Sequence, residues 1–147
     1  MNPDDVVVYI DGSSSGNPGP SGIGIVIFDR HNSTKPLAQI SRYIGITTNN
    51  VAEYEALINA LKWLSDNKFL NAEIYMDSEL VYKQLIGNYR IKTPHIKSLA
   101  DRVRKLLNKF EKIDLKMIPR EKNRLANLLA QRIVRNIKKK KEKDSKK

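Results

Sequence analysis

The chain has 147 residues, of which 40% are hydrophobic, and a net charge of +11. This length suffices for one domain with a hydrophobic core but not comfortably for two. Cysteine is absent and the two histidines, His31 and His95, lie far apart, which excludes disulfides and thiolate sites and leaves carboxylates to hold any metal. No stretch reaches the roughly 20 apolar residues of a spanning helix and residues 1–5 do not resemble a signal peptide, so we expect a soluble, cytoplasmic protein.

The positive charge falls into two parts. Residues 138–147 contain seven lysines and two acids and therefore carry +5, while residues 1–137 carry the remaining +6. We divide the chain accordingly into a folded domain, 1–137, and a lysine-rich tail, 138–147, which either extends the last helix or is disordered. This charge favours a polyanionic partner, because phosphate contacts release counterions. A surface that only keeps the protein in solution is the alternative.

The first three predicted elements are β-strands. Residues 6–10 and 22–28 are β-branched and aromatic runs, and the Gly/Ser/Pro-rich segment between them indicates a turn. A third such run, 36–44, follows another turn. We therefore expect three sequential antiparallel strands at the start of the domain.

Helical spacing begins at residue 50. Apolar residues recur every three or four positions over 50–63, with Thr48 or Asn49 as the N-cap. A strand, two helices, another strand and a last helix follow, at 72–76, 80–85, 94–110, 113–118 and from 125. The order β-β-β-α-β-α-α-β-α predicts an α/β fold with a five-stranded mixed sheet, three antiparallel strands and then parallel ones, flanked by helices. We expect the tyrosines and Trp63 to belong to the core.

Three acids are predicted to converge at one edge of this sheet. Asp11 and Asp77 each end a predicted strand, and if these strands are parallel neighbours their carboxylates lie roughly 5 Å apart. Glu53 lies on the helical stripe that faces the sheet, where a carboxylate is costly unless paired. Such charges repel unless a cation joins them, and oxygen ligands favour Mg²⁺ or Mn²⁺. This favours two-metal phosphoryl transfer, with Asp11 as the bridging carboxylate.

Each acid also has an ordinary structural interpretation. Asp11 with Gly12 is usual turn chemistry, Asp77 could cap a helix that starts at Ser78, and Glu53 could favour a helix N-terminus. The coincidence of all three acids at converging strand and helix ends is what favours a metal site over these interpretations.

Four segments resemble the motif blocks of the ribonuclease HI family: YIDGSSSGNPGPSGIGIVI, TTNNVAEYEALINAL, IYMDSELVYKQL and IPREKNRLANLLA. The resemblance covers about residues 6–135 and is greatest to archaeal and bacterial forms that lack a basic protrusion, for which residues 87–94 leave no room. It implies a ribonuclease H-like fold and an endonuclease that uses two Mg²⁺ or Mn²⁺ ions to hydrolyse the RNA strand of RNA–DNA hybrids, leaving 5′-phosphate ends. We expect a monomer, with double-stranded RNA as a second candidate ligand.

Carried over residue by residue, the resemblance assigns metal ligands and substrate contacts. The metal ligands are Asp11, Glu53 and Asp77. The substrate contacts are Asn17, Asn49 and Asn50 in the minor groove, Thr48 at a DNA phosphate, and backbone groups near Gly12 and Ser13. Amides suit the minor groove because they both donate to and accept from the 2′-hydroxyls of an A-like hybrid. Turn and cap chemistry is the simpler alternative for Asn17, Thr48 and Asn49.

Two positions depart from the family pattern. Asn127 occupies the place of the family's fourth catalytic and metal-ligating acid, either as a natural variation or as a deliberate Asp-to-Asn replacement. With one negative charge fewer, we expect the second ion to bind more weakly and hydrolysis to fall. The loop 119–123 lacks a histidine that assists product release in several relatives, and Glu121 is the candidate substitute. A hybrid-binding module without catalysis and another nuclease of the superfamily are therefore the alternatives.

Overall fold

The computed structural model describes residues 5–87 and 89–145. Its strands and helices are, in chain order, β1 (Asp5–Ser14), β2 (Gly19–Asp29), β3 (Ala38–Thr47), α1 (Asn49–Asp66), β4 (Asn71–Met76), α2 (Glu79–Leu85), α3 (Pro94–Leu107), β5 (Lys112–Met117) and α4 (Arg124–Ser145). A short 3-10 turn, Arg120–Lys122, precedes α4 and was not predicted. The predicted order of strands and helices is otherwise confirmed.

The five strands form one mixed sheet in the order β3-β2-β1-β4-β5. β1 pairs antiparallel with β2, and β2 with β3, as expected for consecutive strands joined by turns. β4 pairs parallel with β1 and with β5, because helices separate these strands in the chain and return it to the same edge. The predicted sheet, with β1 and β4 as parallel neighbours, is confirmed.

The prediction that Asp11 ends the first strand is wrong. β1 continues to Ser14 as one arm of a hairpin with β2, and Asp11 pairs with Gly24 across it. Only the parallel pairing with β4 stops earlier, at Tyr9 and Tyr75. Asp11 therefore lies where β1 parts from β4. The glycine-rich segment that predicted a turn forms antiparallel ladder over most of its length, and the turn itself is confined to residues 15–18.

The core lies between one face of the sheet and helices α1 and α3. Alternate residues of β1 and β2 are fully buried there, namely Val6, Val8, Ile10, Ile23, Ile25 and Ile27. Each such side chain contributes about 1.5–3 kcal/mol on burial. Tyr54 joins this core as predicted and donates a hydrogen bond to Gln84 (2.7 Å), and burial raises the pKa of its hydroxyl to about 12. Tyr9 and Tyr75 do not, because strand alternation puts them, half-buried, on the other face.

Helix α4 covers part of that other face. A Cβ atom at Gly24 would overlap the carbonyl oxygen of Ala126, so a glycine is needed for the helix to lie this close to β2. Ser41 of β3 adds a hydrogen bond to the Leu129 carbonyl (2.7 Å). α4 runs on to Ser145, so the predicted tail extends the last helix, and its last two lysines lie outside the described residues. Within 5–87 and 89–145, no helix combines the length and apolarity needed to span a membrane.

Candidate active site

Three carboxylates meet where β1 and β4 part. Asp11 belongs to β1, Asp77 directly follows β4, and Glu53 lies in the second turn of α1. The register pairs Tyr9 with Tyr75, two residues before each aspartate, which sets the two aspartates side by side. One carboxylate oxygen from each acid lies within 4.8 Å of the other two. The structure therefore brings together the three acids that the sequence singled out.

Glu53 reaches this cluster because α1 packs directly on the backbone of β1. A Cβ atom at Gly12 would overlap the backbone of Ala52 and Glu53, so the contact requires glycine. The Gly12 N–H donates a hydrogen bond to Glu53 Oε1 (3.2 Å). A residue that looked like plain turn chemistry in the sequence thus serves to bring a helix carboxylate to a strand carboxylate.

The cluster is buried and electrostatically unfavourable as it stands. Asp11 is 1% exposed and Glu53 is 8% exposed. Burial raises the pKa of Glu53 well above its usual value, and the Asp11 charge raises it further. Burial also raises the pKa of Asp11, assisted by the charge of Asp77 and partly offset by hydrogen bonds and by Arg120. Carboxylate oxygens within 4.8 Å of one another repel each other unless a cation lies between them. Such oxygens are the ligands that Mg²⁺ and Mn²⁺ prefer.

Asn127 lies at the cluster, on the first turns of α4. Its Nδ2 donates a hydrogen bond to Asp11 Oδ2 (2.6 Å). An aspartate at this position would place a fourth carboxylate beside Asp11, whereas the amide offers a donor. The side chain that departs from the family pattern is therefore in contact with the most buried acid of the site.

Asn123 also belongs to the site, although sequence reasoning treated it only as the end of a loop. It is 1% exposed, and its Nδ2 donates to Asp77 Oδ2 and to the Ile10 carbonyl, both at 2.8 Å. Its Oδ1 is buried without a hydrogen-bond partner among the described residues. The 3-10 turn before α4 puts this side chain inside, and an asparagine before a helix gives no sequence signal beyond that of an ordinary cap.

A polar cleft of about 570 Å³ opens in front of the acids. It is lined by Gly12, Ser13, Ser14, Asn17, Asn49, Asn50, Glu53, Asp77, Ser78, Leu80, Arg120 and Gln131. Most of the predicted substrate contacts lie along it, together with Arg120 and Gln131, which were not predicted. Thr48 is the exception, because it does not line this cleft and its side chain instead caps α1 by accepting from the Val51 N–H (3.3 Å).

Asn17 and Asn49 connect the β1–β2 turn to the start of α1. Asn17 Oδ1 accepts from the Asn49 N–H (3.0 Å), and Asn49 Oδ1 accepts from the Ser14 N–H (2.9 Å). Both amides therefore use their oxygen atoms within the protein, which fixes the two side chains at the wall of the cleft. Asn50 Oδ1 is buried without a partner among the described residues.

Glu121 lies beside the cluster rather than in it. It lines a shallower depression of about 570 Å³ next to the cleft, together with Asn127, Leu128 and Gln131. His95 lies in the first turn of α3, outside the acidic cluster. The position of Glu121 is therefore compatible with a role at the rim of the site.

Comparison with known proteins places most of the chain in one family. A family model described as reverse transcriptase-like matches residues 9–133. The ribonuclease HI of Halobacterium salinarum is 39% identical over 125 residues, which are 85% of this chain and 62% of that protein. The bifunctional protein Rv2228c of Mycobacterium tuberculosis is also 39% identical over 125 residues, 85% of this chain and 34% of its own length. The chain thus spans between one third and two thirds of these relatives.

Two solved ribonuclease H1 structures resemble this chain along nearly their whole length. The crystal structure of ribonuclease H1 from Halobacterium salinarum superposes with a TM-score of 0.85 at 37% identity, covering 90% of this chain and 98% of that one. The structure of LC11-RNase H1 in complex with an RNA/DNA hybrid gives a TM-score of 0.79 at 41% identity, covering 86% and 94%; that protein was isolated from compost. The described fold and the site therefore lie within the region that these proteins share.

Proposed function

Because this chain belongs to the ribonuclease H family, we propose that it binds RNA–DNA hybrids and hydrolyses their RNA strand with divalent cations. The observation that carries the proposal is the cluster of Asp11, Glu53 and Asp77, of which the first two are buried. One carboxylate oxygen of each acid lies within 4.8 Å of the other two, and charges this close favour a bound cation. A relative of 41% identity is known in complex with an RNA/DNA hybrid, which supports the choice of substrate.

The residues present fit a pair of Mg²⁺ or Mn²⁺ ions. Asp11, Glu53 and Asp77 would hold these ions, and Asp11, the most buried of the three, is our choice for the central ligand. The unpartnered Oδ1 of Asn123 adds a neutral oxygen at the edge of the cluster. When bound, such ions supply a reactive water at neutral pH and stabilise charge on the leaving oxygen.

The protein's own groups bind and orient the hybrid. The Asn17 and Asn49 NH₂ groups, with Asn50 and Gln131, line a cleft of a polarity that suits the 2′-hydroxyls of a minor groove. Backbone groups at Gly12 and Ser13 lie at the same wall of the cleft. The exposed Arg120 lies between this cleft and the depression at Glu121, where it would contact a phosphate.

Asn123 and Gly12 keep the acids in place. The Asn123 amide fixes one oxygen of Asp77 to the backbone of β1, and the Gly12 N–H fixes Glu53. Ligands that are oriented before a cation arrives bind it more tightly. We propose that cleavage leaves 5′-phosphate and 3′-hydroxyl ends, that the protein works as a monomer, and that double-stranded RNA is a second ligand.

Asn127 favours a second candidate function, a hybrid-binding module with little or no catalysis. Its amide donates to Asp11, so one charge that would hold the second cation is missing, while the substrate-binding wall of the cleft is unaffected. Under this alternative the chain retains hybrid affinity but does not cut.

A cleavage assay separates these functions. A hybrid with end-labelled RNA is incubated in Mg²⁺ or Mn²⁺ with the native chain, with Asn127→Asp and with Asp11→Asn. We expect Asn127→Asp to cut the RNA at least about 100-fold faster than the native chain, the scale of one well-placed electrostatic group, and Asp11→Asn to be inactive. Absence of cleavage by Asn127→Asp in either ion would contradict the proposal.

Further readouts identify the alternatives. If the native chain binds the hybrid as tightly as Asn127→Asp does but only Asn127→Asp cuts it, the native chain is a binding module. Cleavage of branched DNA, or removal of single nucleotides from an end, would instead indicate another nuclease of the superfamily.

A further inference from the structure

An aromatic cluster lies on the sheet face that α1 does not cover. It consists of Tyr9, Phe28 and Tyr75, from three adjacent strands, and we call it the aromatic cluster. The rings of Tyr9 and Tyr75 stack with centroids 5.2 Å apart, and Phe28 meets Tyr9 edge-on at 6.1 Å. All three are only half-buried, since α4 covers the part of this face that lies further toward Ser14.

These rings line a depression of about 360 Å³ that has both apolar and polar side chains in its lining. The polar part of its lining comes from Asp29, Arg30, Ser33, Lys122, Asn123 and Arg124. Aromatic side chains with this degree of exposure on an open sheet face are the means by which several protein folds stack nucleic acid bases. Tyr9 and Phe28 pack against a second, smaller core of Val26, Ala126 and Leu129 under α4, but all three rings keep an exposed part that this packing does not cover.

Cationic side chains lie on one wall of the depression. Lys122 and Arg124 are exposed at one wall, and Lys116 Nζ lies 6.0 Å from the centroid of the Tyr75 ring. Two acids lie nearby: Glu73 is paired with Arg30 (2.9 Å) and with Lys116 (3.6 Å), and Asp29 accepts a hydrogen bond from the His31 N–H (2.9 Å). A ligand that has both planar aromatic groups and negative charge matches this lining.

The depression adjoins the acidic cluster. Tyr9 precedes Asp11 by two residues and Tyr75 precedes Asp77 by two, so each tyrosine shares a strand face with an acid about 7 Å further along. Asn123 lines the depression and donates to Asp77. Arg120 lines both the cleft and the shallower depression at Glu121, and Arg124 lines both that depression and the aromatic one, so a strand that leaves the acids would reach the rings over the exposed side chains of segment 120–124.

We propose that the aromatic cluster and its cationic rim bind an unpaired, single-stranded segment that continues from a hybrid held at the acids. A base packs against Tyr75 and Tyr9, and Lys122 and Arg124 contact the neighbouring phosphates. The site would favour hybrids that end in a single-stranded extension over blunt ones. This inference rests on the proposed hybrid-binding function, and the binding experiment tests the two separately.

Binding is measured by fluorescence anisotropy in the Asp11→Asn background, where no cleavage is expected. The probes are a blunt hybrid, the same hybrid with an unpaired DNA extension, and a single-stranded oligothymidylate alone. We expect the extension to increase affinity about tenfold, in keeping with stacking of one or two bases. Tyr75→Leu should remove this increase while leaving blunt-hybrid affinity unchanged, and Tyr75→Phe should keep it.

The pair Tyr75→Leu and Tyr75→Phe is matched, because both lose the hydroxyl that donates to Glu73 (2.7 Å) and only Leu loses the ring. Lys122→Gln with Arg124→Gln should reduce the increase severalfold, whereas Lys97→Gln with Arg102→Gln, two exposed cations on α3, should not. If Tyr75→Leu does not fold, photocross-linking of a thiothymidine in the extension decides, with adducts expected on β1 or β4.

The outcomes are separable. A blunt hybrid that binds, with no gain from the extension or with an equal gain in Tyr75→Leu, overturns this inference and leaves the proposed function standing. A blunt hybrid that does not bind overturns the proposed function. In that event the oligothymidylate decides the inference: affinity abolished in Tyr75→Leu and kept in Tyr75→Phe supports the aromatic site, and equal affinity for both overturns it.

Discussion

Helices α1 and α4 approach the same carboxylates from opposite faces of the sheet, and they do so in different ways. α1 buries nine of its 18 residues, including Glu53. α4 buries four of its 22 residues and presents an amide, Asn127, to Asp11. The α1 side therefore holds a charge within the core, where it costs stability, whereas the α4 side supplies neutral donors from a mostly solvated helix. We therefore expect a change of charge on the α4 side to cost less stability than one on the α1 side.

The largest effect is expected where each helix touches the sheet through a glycine. Gly24→Ala forces a Cβ into the Ala126 carbonyl and should lower the free energy of unfolding by about 3 kcal/mol, measured in urea. Gly12→Ala, which meets the backbone of Ala52, should cost as much. The two differ in Mg²⁺: stabilisation by the ion should persist in Gly24→Ala and be lost in Gly12→Ala, which displaces Glu53. Native-like stability of Gly24→Ala would contradict the close packing of α4.

A smaller effect is expected at the two asparagines of the α4 side. Asn123→Ala removes hydrogen bonds to Asp77 and to the Ile10 carbonyl at a position 1% exposed, and should cost about 2 kcal/mol. Asn127→Ala removes one bond at a half-buried position and should cost about 1 kcal/mol. Urea unfolding of both variants checks the order. A larger loss for Asn127→Ala would mean that Asn127, and not Asn123, supports the acids.

The sequence predicted the α1 side of the site better than the α4 side. Glu53 lies in a helix whose apolar spacing identifies the buried face, and Asp11 and Asp77 follow apolar strand residues, so their meeting follows from strand order. Asn123 is buried only because a 3-10 turn, which has no apolar period, turns it inward. The extent of β1 past Asp11 was missed because Gly12 and its neighbours have turn composition, while their pairing depends on β2. Such features are set by tertiary contacts rather than by local pattern.

Charge changes on the two sides should act in opposite directions on the metal-free protein. A carboxyl with a raised pKa binds more protons when folded than when unfolded, so its presence lowers stability as pH rises from the unfolded to the folded pKa. Burial raises the pKa of Glu53 in this way. Glu53→Gln should therefore gain about 1 kcal/mol at neutral pH and nothing in acid. Asn127→Asp, which adds a carboxylate beside Asp11, should lose a similar amount.

Thermal unfolding at neutral and acidic pH, with and without Mg²⁺, measures this contrast. Mg²⁺ should reverse the stability order of the two variants. An ion that binds only the folded state raises the free energy of unfolding most in the variant whose ligands are most negative. Asn127→Asp should then gain more from Mg²⁺ than the native chain, and Glu53→Gln should gain least. If Glu53→Gln is destabilised at neutral pH, the Glu53 charge is already compensated within the protein.

The smallest effect on stability is expected at the far end of α4, where the contrast with α1 is greatest. The extension contacts the domain through Lys138, which donates to Ser15 Oγ (2.9 Å), and through Lys141, 6.0 Å from the Tyr43 ring. Exposed contacts of these kinds contribute less than about 1 kcal/mol each, so a chain ending at residue 137 should unfold almost as the full chain does. Its hybrid affinity should nevertheless fall about tenfold at low salt, because Ser15 and Lys138 line a depression that shares Ser13, Ser14 and Gln131 with the cleft. The dependence of affinity on salt should weaken by about one unit of slope for each phosphate that the shortened chain no longer neutralises.

Lys-to-Gln replacement throughout 138–147, which keeps the helix and removes the charge, should reproduce the loss of hybrid affinity. An unchanged salt dependence in both variants would mean that the extension serves solubility alone and that hybrid binding depends on the cleft.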